Sequence, residues 1–339
     1  RLGVRAEVGS DMDLWLAQQL DVDRTGIISN GPNRSPASLE QVIRDGGTVI
    51  ADSLRDVRIL QELARSTASG EFPVGLRINF PLGGNAHPRL GLQVGSAQFD
   101  EAVVGIRRST GLRLAGLHCH VPSHSVESFA ERTRVLIRVA DQTIPDGPEY
   151  LDIGGGFYGG VPSVYPEPGP APTISDYAEA VCDQLIARYG TEPSGPRLIV
   201  EPGTAMVASA MSLVTRVVSI KTVPGRNFAN VAGSILDTSP NTRRIDFPVD
   251  VIRRGDGVPG PFEVGGSTLM PDEFMSIGLP GPLAEGDFLV FGRVGAYSIS
   301  MVAPFLRPDV AVLKRSTASG DWLQVRRAGT PEDVFAGML

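Results

Sequence analysis

Through the first two hundred residues, short β-branched or apolar runs alternate with longer helix-like segments, the pattern of a parallel sheet joined by crossover helices. The runs lie near 3–8, 25–29, 48–51, 74–80, 114–120, 150–153 and 197–201, with helix-like segments near 11–20, 36–45, 53–68, 98–108, 124–141 and 175–189. Ser35, with Pro36 at the first helical position, and Asp52 have the chemistry of N-caps for the second and third segments. Seven strands in strict alternation is one short of a (β/α)8 TIM-type barrel. The chain opens at Arg1 inside an amphipathic pattern already in progress, so a first strand upstream of it is expected. An open doubly wound sheet is the structural rival. The barrel is favoured because Arg77-Ile78-Asn79, His118 to Ser123, Gly154 to Gly156 and Glu201-Pro202-Gly203 all fall at carboxyl ends of strands, where barrel active sites are built.

After about residue 210 the pattern changes to strands without helices, near 212–223, 227–235, 245–252 and 287–294, parted by turn signals such as Pro224-Gly225 and Gly255-Asp256-Gly257. The expected organisation is an α/β barrel domain over 1–210 and an all-β domain over 211–339. A net charge of −7 with no basic run makes nucleic acid and anionic membranes poor partners. No apolar stretch is long enough to span a bilayer and no signal-peptide pattern is seen, which leaves the cytoplasm as the default location. Cys119 and Cys182 make no disulfide framework. Arginine dominates the basic residues, and the only lysines are Lys221 and Lys314.

The strand Leu151-Asp152-Ile153 empties into Gly154-Gly155-Gly156. Consecutive glycines at a strand end let backbone N–H groups close around an anion, which reads as a phosphate cradle. Gly154, Gly156 and Gly159 also satisfy G-x-G-x-x-G, but a dinucleotide fingerprint opens directly into a helix, and here a proline-laden loop follows. In Gly116-Leu117-His118-Cys119-His120-Val121-Pro122-Ser123, the strand period puts His118 and His120 on one face and Cys119 on the other. The pair could contact a cofactor, open a metal site, or be hydrogen-bonded core histidines. Zinc needs three or four ligands, and the remaining histidines, His87 and His124, sit at no later strand end. Glu201, before the Pro202-Gly203 turn, could hold a ring nitrogen protonated or make a structural salt bridge. Tyr297, in Gly295-Ala296-Tyr297-Ser298, could donate to a phosphate or pack with its hydroxyl in water.

Taken together these motifs resemble the alanine-racemase-like (fold type III) enzymes dependent on pyridoxal 5'-phosphate (PLP), most closely the ornithine/diaminopimelate decarboxylase family. Asn30-Gly31-Pro32-Asn33-Arg34-Ser35, GLHCHVPS, LDIGGGF, EPGT and GAYSIS occur in the right order across nearly the whole chain. The resemblance implies that His120 stacks on the pyridoxal ring and that Ser123 with Gly154, Gly155 and Gly156 holds the phosphate. It implies further that Glu201 pairs with the pyridine nitrogen, that Gly203 lines the cofactor site, and that Tyr297 reaches the phosphate from the β-domain. It also implies a homodimer with shared active sites, a small amino-acid substrate and the reaction of a carboxy-lyase at Cα.

The family pattern is not met everywhere. Members carry the lysine that binds the cofactor on the first barrel strand, and no lysine precedes position 221 here, so the catalytic lysine is expected outside this chain. Where the β-domain normally offers a cysteine as proton donor, the run Gly266-Ser267-Thr268-Leu269-Met270-Pro271-Asp272-Glu273 has Leu269, and Met270 takes an acidic position that helps to recognise a distal ammonium group. Glu273 or Asp272 remains as a later carboxylate. Thr204 replaces an arginine after Glu-Pro-Gly, Pro122 replaces a glycine, and Arg243 matches a substrate-binding arginine with Phe247 in place of a tyrosine. The expected function is therefore a PLP-dependent decarboxylase of a non-standard amino acid lacking a distal ammonium group. His120, Tyr297 or water would handle protons, and Arg243 and Glu273 would bind substrate; no metal is expected. The alternatives are a PLP-binding protein with lost activity and a metal-dependent barrel hydrolase using His118 and His120.

Overall fold

In a computed structural model that describes residues 4–66, 70–81, 89–160, 170–191, 195–238, 247–302 and 304–338, the expected alternation is present. It runs β1 (Ala6–Val8), α1 (Asp11–Gln19), β2 (Ile27–Asn30), α2 (Pro36–Arg44), β3 (Thr48–Ala51), α3 (Leu54–Ser66), β4 (Phe72–Asn79), β5 (Leu92–Gln93), α4 (Ala97–Arg108), β6 (Leu112–His118), α5 (Val126–Thr143), β7 (Tyr150–Asp152), α6 (Ile174–Tyr189) and β8 (Arg197–Ile199). The strands pair in parallel in the order β1-β2-β3-β4-β6-β7-β8, with the two-residue β5 added beside β4. This is the open arc of a barrel, as its alternating pattern required.

Local chemistry explains the boundaries. Ser35 accepts the Ser38 N–H at 3.1 Å, with Pro36 already holding a helical φ, so α2 begins there. Asp52, expected to cap α3, does something else. Its carboxylate accepts the Gly91 N–H at 3.0 Å and lies 3.7 Å from Arg77, while Asp56 reaches back to accept the Asp52 N–H at 2.9 Å. Asn79 donates to the carbonyls of Leu90 and Gly91, so the polar end of β4 fixes the turn into β5. Inside the arc, the paired residues Gly75, Gly116 and Tyr150 form one row across β4, β6 and β7. A Cβ at Gly75 or Gly116 would lie within 2.5 Å of the Tyr150 side chain, so the two glycines make room for that ring.

The chain divides into two compact units, Arg1–Gly156 with Pro172–Pro202, and Phe157–Ala171 with Gly203–Leu339. In the second lie α7 (Gly203–Val207), β9 (Leu213–Val223), β10 (Arg226–Val231), β11 (Val249–Ile252), β12 (Phe262–Gly265), β13 (Phe274–Leu279), β14 (Phe288–Phe291), β15 (Val312–Arg315), β16 (Trp322–Arg326) and α8 (Pro331–Phe335). One sheet has the order β11-β14-β9-β10-β12-β13, and β15 pairs only with β16. Val217, Ala229, Val264, Met275, Leu289 and Phe291 fill the core of this unit. The expected strand near 227–235 ends at Val231, and the one near 245–252 begins at Val249. β12, β13, β15, β16 and the two five-residue helices were not expected from the sequence. Among the described residues, no helix is long and apolar enough to cross a membrane.

Candidate active site

The carboxyl ends of the barrel strands bring together side chains distant in sequence. His118, the last residue of β6, is fully buried, and its Nε2 lies 3.1 Å from Glu201 Oε1. Asn30, the last residue of β2, donates from Nδ2 to Glu7 Oε1 at 2.9 Å, and the same amide nitrogen is 3.2 Å from His118 Nε2. Glu7 sits on β1 and Glu201 just after β8, the two ends of the sheet path, yet their carboxylates and His118 fall within 4.8 Å of one another. The arc is thus curled far enough for its opposite edges to converge on one histidine.

Electrostatics assigns the charges. Burial opposes protonation of His118, but Asp152 and the hydrogen-bonded Glu201 outweigh it and raise its pKa above the ordinary histidine value. Burial likewise opposes ionisation of Glu201, and the His118 contact outweighs it; the carboxyl is held well below the usual range. Both shifts favour the charged pair, imidazolium beside carboxylate. Burial, reinforced by the Glu201 charge, pushes the carboxyls of Glu7 and Asp152 up to about 7. His118 Nδ1 and Asp152 Oδ2 are buried without a hydrogen-bond partner among the described residues.

His120 is placed differently from His118, as one of the two strand-face histidines that emerges. Its side chain is 36% exposed, and its Nδ1 accepts the Gly155 N–H at 3.0 Å, which fixes that nitrogen as the unprotonated one. The glycine triplet needs its glycines. Gly154 and Gly156 have φ of +70° and +95°, and a Cβ on Gly154, Gly155 or Gly156 would lie 2.5, 2.6 or 2.8 Å from the carbonyl oxygens of Cys119, Glu201 or Ser123. Two of its N–H groups are already committed, Gly154 to Asp152 Oδ1 at 2.9 Å and Gly155 to His120. Only the Gly156 N–H has no partner among the described residues, so the cradle offers an anion fewer donors than three bare glycines suggest.

Ser123 stands beside this turn, its carbonyl against Gly156 and its hydroxyl accepting the Ser125 N–H. His124 Nδ1 is 2.5 Å from the Gly156 carbonyl oxygen. Glu7, Asn30 as part of the histidine network, and Asp152 carried no assigned role in the sequence. The signal was present in each case, a polar residue inside an otherwise apolar strand.

The remaining expected site residues lie in the second unit. Gly203 opens α7, and no atom lies within 4 Å of where its Cβ would be. Tyr297 is 55% exposed and held at φ +65°, a left-handed conformation that a non-glycine residue adopts at a cost. Glu273, expected to bind substrate, is tied into its own loop. It is buried, and its carboxylate accepts from Ser234 Oγ, the Ile235 N–H, the Thr268 N–H and Thr268 Oγ1, which makes it the anchor of the loop that carries Leu269. Leu269 itself is 85% exposed. Arg243 and His87 lie outside the described residues. Lys221 and Lys314 sit on β9 and β15.

The residues present fit PLP. A turn that any Cβ would fill, a carboxylate held ionised beside His118, and a partly exposed histidine ring share one end of the arc. Residues 1–208 match the family model described as pyridoxal-dependent decarboxylase, pyridoxal binding domain. The diaminopimelate decarboxylase of Archaeoglobus fulgidus is 26% identical over 98% of this chain and 81% of its own length, and that of Deinococcus radiodurans 28% identical over 98% and 83%. Among solved structures, diaminopimelate decarboxylase from M. jannaschii in complex with L-lysine superposes with a TM-score of 0.83 at 22% identity, covering 98% of this chain and 79% of that one. The Helicobacter pylori enzyme complexed with L-lysine gives 0.81 at 21% identity, covering 99% and 84%.

Proposed function

Because this chain belongs to the pyridoxal-dependent decarboxylase family, we propose that its barrel end holds PLP and removes the α-carboxylate of a non-standard amino acid. The observation that carries the reading is the His118–Glu201 pair at 3.1 Å beside the glycine turn. When bound, PLP supplies an electron sink for the charge left at Cα as carbon dioxide departs. Each named residue then has a separable task. Glu201, kept ionised by His118, would accept a hydrogen bond from the ring nitrogen and favour a proton there. His120, oriented by the Gly155 N–H, would hold the pyridine ring. The Gly154–Gly156 turn and Ser123 receive the phosphate, with the Gly156 N–H as donor. The family resemblance assigns Tyr297 to the same phosphate and Gly203 to the cofactor site.

The named relatives are diaminopimelate decarboxylases, and two of the solved structures hold L-lysine. For this chain we place an apolar pair, Leu269 and Met270, where the resemblance puts a proton donor and an ammonium-binding acid. The substrate's far end accordingly lacks an ammonium group. Leu269, exposed on a loop anchored by Glu273, is offered to the active site of a second copy in a homodimer. Arg243 binds the substrate's acidic end. The test is carbon dioxide release by the full-length protein from a panel of amino acids matched in length but differing at the far end. Turnover of neutral or acidic side chains over lysine and ornithine supports the reading; rapid turnover of lysine or ornithine refutes it.

A further inference from the structure

Behind the glycine turn lies a cation that none of the functional assignments uses. Arg132, on α5, is fully buried, and all its N–H groups are engaged. Nε donates to Ser128 Oγ at 3.2 Å, Nη1 to the carbonyls of Ile153 and Gly155 at 3.3 and 2.7 Å, and Nη2 to those of Val121 and Ser123 at 2.7 and 2.8 Å. Its guanidinium also stacks 4.0 Å over the Phe129 ring. No carboxylate pairs with it among the described residues, which is unusual for a buried arginine. The contrast within the same unit is Arg34, equally buried but joined to Asp56 at 2.9 Å.

Apart from the Ser128 hydroxyl and the Phe129 ring, carbonyl dipoles surround the charge, and they belong to the two loops that meet at the turn. Nη2 lies 3.5 Å from where a Cβ on Gly156 would stand, so the cation is directly behind the residue whose N–H is unused. Burial lowers the guanidinium pKa to about 10, which still leaves it charged at neutral pH. A buried charge in a low-dielectric site that lacks a counter-ion is completed by an anion arriving on the far side of the loop.

We propose that Arg132 is the positioning residue for the phosphate: it clamps the histidine loop to the glycine turn and supplies the positive field that makes the site prefer a phosphorylated ligand. The inference rests on the PLP reading above and deepens it. Arg132 touches no ligand, since every N–H is spent on the protein, so its effect separates into a geometric part common to all ligands and an electrostatic part confined to the phosphate.

Dissociation constants of PLP and of pyridoxal, which lacks the phosphate, measured by absorbance with the wild type, R132M and R132K, distinguish the two parts. The wild type should prefer PLP, R132M should lose that preference by on the order of ten- to a hundredfold, and R132K, which keeps the charge, should retain most of it. Equal weakening of both ligands in R132M, with the preference intact, would show a structural residue only and overturn the proposal. Should R132M not fold, a 31P titration of wild-type-bound PLP decides. The phosphate should remain a dianion to lower pH than in free PLP, and an unchanged titration overturns the proposal. A wild type that binds neither ligand removes the PLP reading itself; one that binds PLP without the arginine effect removes this inference alone.

Discussion

Adding one methyl group to the glycine turn measures how tightly the site is built. In Gly154→Ala two costs combine. At φ +70° the alanine is forced into the left-handed region, worth about 1 to 2 kcal/mol. Its Cβ would also stand 2.5 Å from the Cys119 carbonyl oxygen and 3.0 Å from His120 Cα, both backbone atoms that cannot rotate away. Overpacking of this kind adds about 1 to 3 kcal/mol. Gly147 separates the terms, because its φ is +84° and nothing lies within 4 Å of its Cβ position. Gly147→Ala should therefore cost only the backbone part, about 1 to 2 kcal/mol, and Gly154→Ala about 2 to 5 kcal/mol in all. Urea unfolding followed by helical circular dichroism reads the first unit, which among the described residues contains the helices longer than five residues. Gly154→Ala should also weaken PLP binding by displacing His120, and Gly147→Ala should leave it unchanged. Equal stability losses in the two variants would refute the steric account of the turn.

Three further outcomes follow from the same geometry. Glu201→Gln should destabilise the apo-protein by roughly 3 kcal/mol, because it strips the buried His118 charge of its counter-ion, and the His118 NMR titration should move down; an unmoved titration would contradict the pairing. For Glu7, the unfolded chain gives up its proton near the ordinary value while the folded protein keeps it to about 7, so this group's contribution to stability falls as pH rises through that window. His118, with its folded pKa raised, acts in the same direction, its contribution complete below the ordinary histidine value and lost above it. Glu7→Gln should consequently raise the melting temperature more at pH 8 than at pH 5, and a gain larger at pH 5 would reverse the sign of the argument. Glu273→Gln should lower the stability of the second unit by about 3 kcal/mol through its buried donors, Ser234, Ile235 and Thr268. A stable variant with only a raised KM would return Glu273 to substrate binding.

The barrel was legible because a buried parallel strand leaves a continuous apolar run and its crossover helix a 3.6-residue period, and both survive in β2 to β4 and β6 to β8, while the two-residue β5 left no such run. The second unit was harder to read. β15 and β16 are two-stranded and exposed, with Lys314, Arg315 and Arg326 among their residues, so no burial imprints alternation on them. At the site, the motifs marked His118, His120, Glu201 and the glycines. They could not show that Glu7 and Glu201, at opposite ends of the sheet path, meet at one histidine, because that follows from the curl of the arc. They also suggested three free donors in the turn, where Asp152 and His120 occupy two. Arg132 was hidden for a different reason: an arginine on an amphipathic helix reads as surface until its carbonyl partners are seen.

The central claim is that Glu201, ionised by His118, holds a proton on the cofactor's ring nitrogen. The 15N chemical shift of ring-labelled PLP bound to the wild type and to Glu201→Gln tests it most directly. Protonated nitrogen in the wild type and neutral nitrogen in the variant are predicted; a neutral nitrogen in the wild type, with PLP bound, would contradict the account.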